Sequence, residues 1–195
     1  LLRPIQAENP EELVGVYSKD TERPDSYRPF SYPNFRDIRE LNGTFVDVMA
    51  HDLSIVGLRE GDVTERIFAE VVSHNYFDPF GVRPFRGRFF SESEELPEAG
   101  VPVAVVSHAF WRRHGEDPGF IGSVIEVNGQ DLEVVGVTPP GFTGRTAMMA
   151  PALYVPLGMH GQLMADAFVE DGRPLSDREN HRLLSVARLQ PRMSI

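Results

Sequence analysis

The stretch "EVNGQDLEVVGVTPPGF", residues 126–142, carries the clearest structural signal of the chain. Two apolar runs, Val124–Val127 and Leu132–Val137, flank the pair Asn128-Gly129. Asn-Gly favours a two-residue hairpin turn because both central positions need positive φ angles, which these residues tolerate. We therefore predict an antiparallel hairpin, and we expect Gly129→Val to destabilise it.

The segment after the hairpin, "GVTPPGFTG" (residues 136–144), is rich in glycine and proline. A phosphate-binding loop needs free backbone N–H groups at a helix start, usually with a lysine. Two prolines remove two of those donors here, and no lysine is near. The segment is therefore interpreted as a rigid turn that leaves a strand.

Outward from the hairpin, short apolar runs alternate with helical patterns. Ser31 and Ser107 are placed to cap helices that end at Asn42-Gly43 and at Gly115. Residues 75–82 predict a short helical turn closed by Gly81. Further strands are predicted at residues 13–17, 44–58, 63–73, 101–107, 153–157 and 182–189. The second of these is expected to bend or turn near His51-Asp52, and a turn at Gly61-Asp62 precedes the third. Helical character is predicted at residues 162–169.

This mixture of strands and short helices predicts an α+β fold. Both chain ends carry strand patterns. We therefore expect an outer layer built from both ends, interrupted by a β-rich lobe from about residue 84 to 165.

The composition excludes several classes of function. The chain has 195 residues, no cysteine and a net charge of -10. An acidic balance argues against nucleic acid and anionic membrane surfaces as partners. The absence of cysteine excludes disulfides, zinc-thiolate sites and a cysteine nucleophile. No apolar run approaches the roughly 18–20 residues of a membrane helix. Both ends of the sequence are interpreted as boundaries within a longer protein.

No catalytic, cofactor-binding or metal-binding residue is predicted. The six histidines form no local metal motif. Ser73-His74 and Ser107-His108 lack the glycines of a nucleophile elbow, so Ser107 is interpreted as a helix cap. The acidic segment "SESEELPEAG" (residues 91–100) lacks the pattern of a calcium loop and is expected to be a solvated loop.

Aromatic residues crowd the stretch between Tyr76 and Phe90, interleaved with Arg83, Arg86 and Arg88. We expect most of these rings to pack in the core or at a junction between lobes, with the arginines paired to acids. An exposed partner surface is the alternative. Its candidate residues are Phe80, Phe85, Arg86, Glu92, Glu94 and Glu95.

Several phrases, taken in order, carry a resemblance to a known family. They are "SYPNFRDIREL…FVDVMA", "AEVVSHNYFDPFGVRPFRGRFF", "VPVAVVSHAFWRRHGEDPGFIGSVIEVNGQDLEVVGVTPPGF" and "LYVPL". Together they resemble the MacB-like periplasmic core domain. This is the extracytoplasmic domain of a class of ABC-transporter permeases that also includes the FtsX and lipoprotein-release permeases.

The resemblance implies a porter-like α/β subdomain, residues 1–83 and 166–195, interrupted by a β-rich Sabre-like lobe, residues 84–165. A hinge between them is expected near residues 81–88 and 158–181. The family domain continues further than this chain, so the porter-like half is expected to be truncated at its C-terminal end. An open sheet edge would then favour self-association, which a clean monomer in light scattering would contradict.

The resemblance also implies a non-enzymatic role in the periplasm, as a domain of a bacterial inner-membrane permease. Such a domain would couple ATP-driven motion in the cytoplasm to substrate export or partner action outside. Its partners would be a cognate ABC ATPase, acting through the rest of the permease, and a periplasmic adaptor or substrate. The parent permease is expected to self-associate. The rival is a stand-alone periplasmic ligand-binding module, or a hydrolase, that uses a cleft between the lobes.

Overall fold

The structure, a computed structural model, describes residues 7, 9–19, 25–145, 149–163 and 173–191. Within these ranges the chain forms eleven strands and four short α-helices. In chain order they are β1 (Leu13–Val16), β2 (Ser18–Lys19), β3 (Tyr27–Arg28), α1 (Tyr32–Leu41), β4 (Phe45–Glu60), β5 (Val63–Val72), β6 (Arg86–Gly87), α2 (Glu92–Glu95), β7 (Val103–Val106), α3 (His108–Arg113), β8 (Val124–Val127), β9 (Gln130–Val137), β10 (Leu153–Pro156), α4 (His160–Leu163) and β11 (Leu184–Leu189).

Nine strands form one sheet, and β2 and β3 form a separate small one. The main path runs β1-β11-β4-β5-β10-β7-β9-β6. Strand β8 pairs with both β9 and the far end of β4, which closes a ring of six strands. The ring order is β4-β5-β10-β7-β9-β8, and β10 pairs with β5 in the parallel sense.

The predicted local elements are largely confirmed. The Ser31 side chain accepts a hydrogen bond from the Asn34 N–H and caps α1, and the Ser107 side chain caps α3 in the same way. The hairpin β8–β9 turns at Asn128 (φ 49°) and Gly129 (φ 74°), so both positions occupy the left-handed region as predicted.

The turn predicted near His51-Asp52 is wrong. Strand β4 runs unbroken for 16 residues from Phe45 to Glu60. Its pairing with β11 ends at His51, and its pairing with β5 starts at the same residue. These two polar residues therefore mark a change of strand partner. Asp52 lies near His160 and Arg182, and His51 lies beside Glu70, while the backbone of the strand continues.

Apolar side chains form two clusters on opposite faces of the sheet, because successive residues of a strand point to opposite sides. The first cluster takes one face of all six ring strands, with residues such as Val56, Ile67 and Val134, and it fills the inside of the ring. The second lies on the other face around Tyr76 and Phe77. A closed ring has no free edge, so its strands are protected from pairing with other chains.

The fold class is mixed α+β, as predicted, with a large share of sheet. The ring takes β4 and β5 from the first predicted segment and β7 to β10 from residues 84–165, so both segments contribute to one sheet. The division into a porter-like subdomain and a Sabre-like lobe stays a prediction, as does the hinge. Of the helical character predicted at residues 162–169, α4 accounts for the start, and residues 164–169 lie outside the described ranges.

Candidate functional site

The serine–histidine pairs of the sequence have structural partners. The Ser107 hydroxyl accepts the N–H of Phe110. The Ser73 hydroxyl donates to the Asn75 side chain and accepts the N–H of Ala50. Neither hydroxyl is hydrogen-bonded to a histidine, so neither pair has the nucleophile–base geometry of a hydrolase. Among the described residues, no cluster of three or more histidines and carboxylates is arranged to hold a metal ion.

A polar cluster is buried on the outer face of the ring. The Tyr76 hydroxyl donates to Glu70 Oε2 at 2.7 Å. The Nδ1 atom of His51 lies 2.7 Å from Glu70 Oε1, although the ring is not oriented for a hydrogen bond. Burial and then the Glu70 carboxylate raise the pKa of Tyr76 well above its usual range. Gly144 covers this cluster, and a Cβ at that position would meet the Tyr76 hydroxyl at 2.7 Å.

The crowded aromatic stretch packs mainly in the core, as predicted. Tyr76, Phe77, Phe80 and Phe90 are buried, and Phe77 stacks on Phe89 with ring centroids 3.8 Å apart. Phe80 therefore cannot belong to a partner surface. Its ring packs edge-on against Tyr76 and Phe142 instead.

The acidic segment at residues 91–100 is not the solvated loop that we predicted. Residues 92–95 form helix α2, and a capping box joins Ser91 to Glu94. Glu94 and Glu95 are 5% and 1% exposed. Glu94 accepts two hydrogen bonds from the Arg88 guanidinium, at 3.0 and 2.8 Å. These two glutamates are therefore structural ion-pair partners and cannot line an open partner surface.

Glu95 joins α2 to α1 and to the segment after β5. Its carboxylate accepts hydrogen bonds from the Tyr32 hydroxyl (3.3 Å), the Arg39 guanidinium (3.0 Å) and the His74 backbone N–H (3.0 Å). The Nδ1 atom of His74 lies 2.5 Å from the same carboxylate. We call these four residues, Tyr32, Arg39, His74 and Glu95, the α1–α2 junction.

The charge state of the junction follows from its donors. Burial disfavours the ionised form of Glu95, but hydrogen bonds from His74 and Arg39 outweigh it and lower the carboxyl pKa to about 2. Burial and the adjacent Glu95 carboxylate raise the pKa of Tyr32 above its usual range. At neutral pH the junction therefore holds an ionised Glu95 opposite a charged Arg39 and a neutral Tyr32.

An open groove of about 670 Å³ lies beside the junction. Helix α1 forms one wall, and residues 96–99 and the region of Ser176 and Arg178 form the others. This is where a cleft between the predicted segments would lie. Most of its charged side chains pair with each other, Arg36 with Glu40 and Arg178 with Asp37. They are therefore not arranged to converge on a ligand, as the rival ligand-binding function requires.

Three predicted partner-surface residues remain exposed: Phe85, Arg86 and Glu92. Phe85 is 45% exposed, and its ring contacts the rings of His108 and Trp111. The Arg86 guanidinium lies over both Phe85 and Trp111. Phe85 and Arg86 thus lie together beside α3, whereas Glu92 lies on the exposed side of α2. Their role as a partner surface stays a prediction.

Two connecting residues were not predicted. The Asn128 side chain accepts the Gly57 N–H at 2.7 Å and donates to the Leu163 carbonyl at 2.9 Å. The Asp52 carboxylate lies 3.4 Å from His160 and 3.3 Å from Arg182. Both contacts join residues far apart in the chain. The Asn-Gly pair predicted the turn. No sequence pattern predicted the partners of the Asn128 and Asp52 side chains.

The family comparison decides the class of this domain. The model of the MacB-like periplasmic core domain matches residues 4–186. The chain belongs to this family. Its membership confirms the predicted family and extracytoplasmic location, and it makes the chain a periplasmic domain of a MacB-like ABC-transporter permease. This family is a class of permease domains and not a class of enzymes.

Two solved structures show the same fold as this MacB-like domain. The periplasmic region of MacB from Actinobacillus actinomycetemcomitans has a TM-score of 0.66 and 13% identity, over 94% of this chain and 77% of that one. The extracellular domain of the noncanonical ABC-type transporter YknZ from Gram-positive bacteria has a TM-score of 0.64 and 16% identity, over 92% and 84%. No curated protein matches the sequence. Among the described residues, no helix is long and apolar enough to cross a membrane.

Proposed function

We propose that this domain couples ATP-driven motion of its parent permease to substrate export or partner action outside the bacterial inner membrane. The observation that carries the proposal is the family match, which extends over residues 4–186. In this proposal the ATP is hydrolysed by a cognate ABC ATPase in the cytoplasm, and the domain itself performs no chemistry. A periplasmic adaptor or substrate is contacted by its outer surface.

The connections within the domain are suited to transmitting force. Strand β4 pairs with β11 at one end and with β5 and β8 at the other, so one unbroken strand links β11, and through it β1, to the ring. Glu95 and Asp52 add polar contacts between distant segments. A displacement applied at one end of β4 is therefore transferred through backbone hydrogen bonds and buried side chains to the other end.

Spin-label distances in the parent permease test the coupling. Val124 is 61% exposed at the start of β8, and this chain has no cysteine of its own. A single Val124→Cys label, with any cysteines elsewhere in the permease removed, reports the distance between two copies reconstituted with their ATPase. We expect the distance distribution to shift when ATP is added. Identical distributions with and without ATP would contradict the proposed coupling, and the lack of any dipolar signal would contradict self-association of the parent permease.

A further inference from the structure

The surface around Phe85 combines a partly exposed aromatic ring with an exposed arginine side chain. Phe85, Arg86, His108 and Trp111 are defined here as the Phe85 patch. The Phe85 ring lies 4.9 Å from His108 and 5.5 Å from Trp111, between centroids. The Phe85 backbone is fixed by a hydrogen bond to Val137 in β9, and Arg86 pairs with the same residue in the ladder. The patch is therefore held in place before any partner arrives, which lowers the entropic cost of binding.

A groove of about 440 Å³ continues from the patch along α3. His108 belongs to both features. The opposite wall is formed by the turn around Phe142 and by Pro151. Much of the groove is apolar, so it suits an apolar side chain. Exposed aromatic and arginine side chains next to such a groove are the residue types that contribute most to binding in protein interfaces.

Charge distinguishes this surface from the rest of the molecule. The chain has 29 acidic and 19 basic residues, yet none of the described residues that line the groove is a carboxylate. Arg113, which lines it, pairs with Glu65 at 3.2 Å. Arg86 takes part in no ion pair within the described ranges, and its guanidinium lies 5.4 Å from the centre of the Trp111 ring. An uncompensated guanidinium on an aromatic platform is suited to binding a carboxylate through two hydrogen bonds.

We propose that the Phe85 patch and its groove bind an acidic peptide segment of a protein partner. A carboxylate of that segment binds Arg86, and a neighbouring apolar side chain enters the groove next to His108. The proposal depends on the proposed function in one respect: the partner binds the domain outside the membrane. It specifies the composition of the partner's binding segment, because an acidic segment with apolar residues fits this surface and a basic segment does not.

Trp111 provides a direct readout, because it is the only tryptophan of the chain and forms the buried base of the patch, with 4% exposure. The probe is a decapeptide in which Glu and Asp alternate with Leu and Phe. A control peptide carries Lys and Arg at the acidic positions. Both are titrated into the 195-residue chain at about 0.15 M salt, which screens long-range attraction to the acidic protein, and tryptophan fluorescence is recorded.

We expect a saturable change in Trp111 fluorescence with the acidic peptide and none with the basic one. Arg86→Gln should weaken the affinity about tenfold, as loss of one charge-assisted contact does. The matched control is Arg112→Gln, which removes the same charge from a 65%-exposed side chain of α3 that does not line the groove. The control should change the affinity by less than about twofold.

Three results would overturn the proposal. They are the absence of a saturable response to the acidic peptide, an equal response to both peptides, and equal weakening by Arg86→Gln and Arg112→Gln. Melting temperatures of the variants establish that each is folded. This titration uses neither ATP nor a membrane, and the spin-label experiment uses no partner. Failure of this binding site is therefore distinguishable from failure of the proposed coupling.

Discussion

Glu95 connects helix α2 to two distant parts of the chain through one buried carboxylate. Its donors come from Tyr32 and Arg39 in α1 and from His74 after β5. Each of these three donor residues is largely buried. A buried charge is tolerated only when such partners are present.

We expect Glu95→Gln to lower the free energy of unfolding by about 2–3 kcal/mol, because it leaves Arg39 without its buried counter-charge and places an amide against hydrogen-bond donors. Urea unfolding measures the change. Glu92→Gln is the matched control, since Glu92 is exposed on the same helix, and it should change stability by less than about 0.5 kcal/mol. Equal effects of the two substitutions would contradict the junction.

The stability difference between the wild type and Glu95→Gln should also depend on pH. The pKa of Glu95 is lowered from an ordinary value of 4.5 to about 2 in the folded protein. A carboxyl with a lowered folded pKa stabilises the protein above its unfolded pKa and loses that contribution as the pH falls towards the folded value. The difference should therefore be largest near neutral pH and shrink below about pH 4.5. A difference that stays constant down to about pH 3 would refute this pKa.

Residue roles were predictable from sequence where the partner is local. Ser31 and Ser107 bond within three residues, and the helix pattern around each indicates that bond. The burial of Glu95 was not predictable, because Arg39 lies 56 positions away and a run of acidic residues ordinarily indicates a solvated loop. Phe85 and Arg86 were candidates only under the alternative of an exposed partner surface, and their contact with Trp111 was not predicted.

Among the elements, the hairpin β8–β9 does more than connect two strands. Its turn residue Asn128 binds Gly57 in β4 and the carbonyl of Leu163 in α4. The turn thus fixes the strand that closes the ring. This places the hairpin at a structural closure point and not at a ligand-binding loop.

We expect Gly129→Val to destabilise the domain by about 1–2 kcal/mol, because a branched residue is strained at a φ of +74°. No atom of the described residues lies within 4 Å of the position of an added Cβ, so the expected cost comes from the backbone. Thermal unfolding measures it. Gly43→Val is the control, since Gly43 also has open space around it but no left-handed backbone. Equal melting temperatures of the two variants would contradict the strained turn.

Elements defined by local patterns were predicted well. The Asn-Gly turn, the buried run at β7 and the end of the short helix at Gly81 all follow from neighbouring residues. The turn expected near His51-Asp52 was wrong, because β4 runs unbroken from Phe45 to Glu60 despite these two polar residues. The residues beside them, Glu70 near His51 and His160 and Arg182 near Asp52, are distant in sequence and were not predicted.

At the scale of the whole molecule, the ring and the long strand β4 determine how the domain can move. The ring is closed by hydrogen bonds on every side, and β4 extends from it to pair with β11. The strand order could not be predicted from sequence, because it depends on pairings such as β5 with β10 between residues more than eighty positions apart. The ordered family phrases predicted the family instead, and the match over residues 4–186 confirms it.

Because β4 is continuous, we expect the described residues to move as one body when the parent permease binds ATP. Two labels test this most directly: Leu41→Cys at the end of α1, where the side chain is 82% exposed, and Val124→Cys on the ring. Doubly labelled permease diluted with unlabelled copies reports the distance within one domain. If the domain moves as one body, the mean distance is the same with and without ATP. A change of more than about 2 Å, or a second population, would contradict it and favour a hinge between the predicted segments.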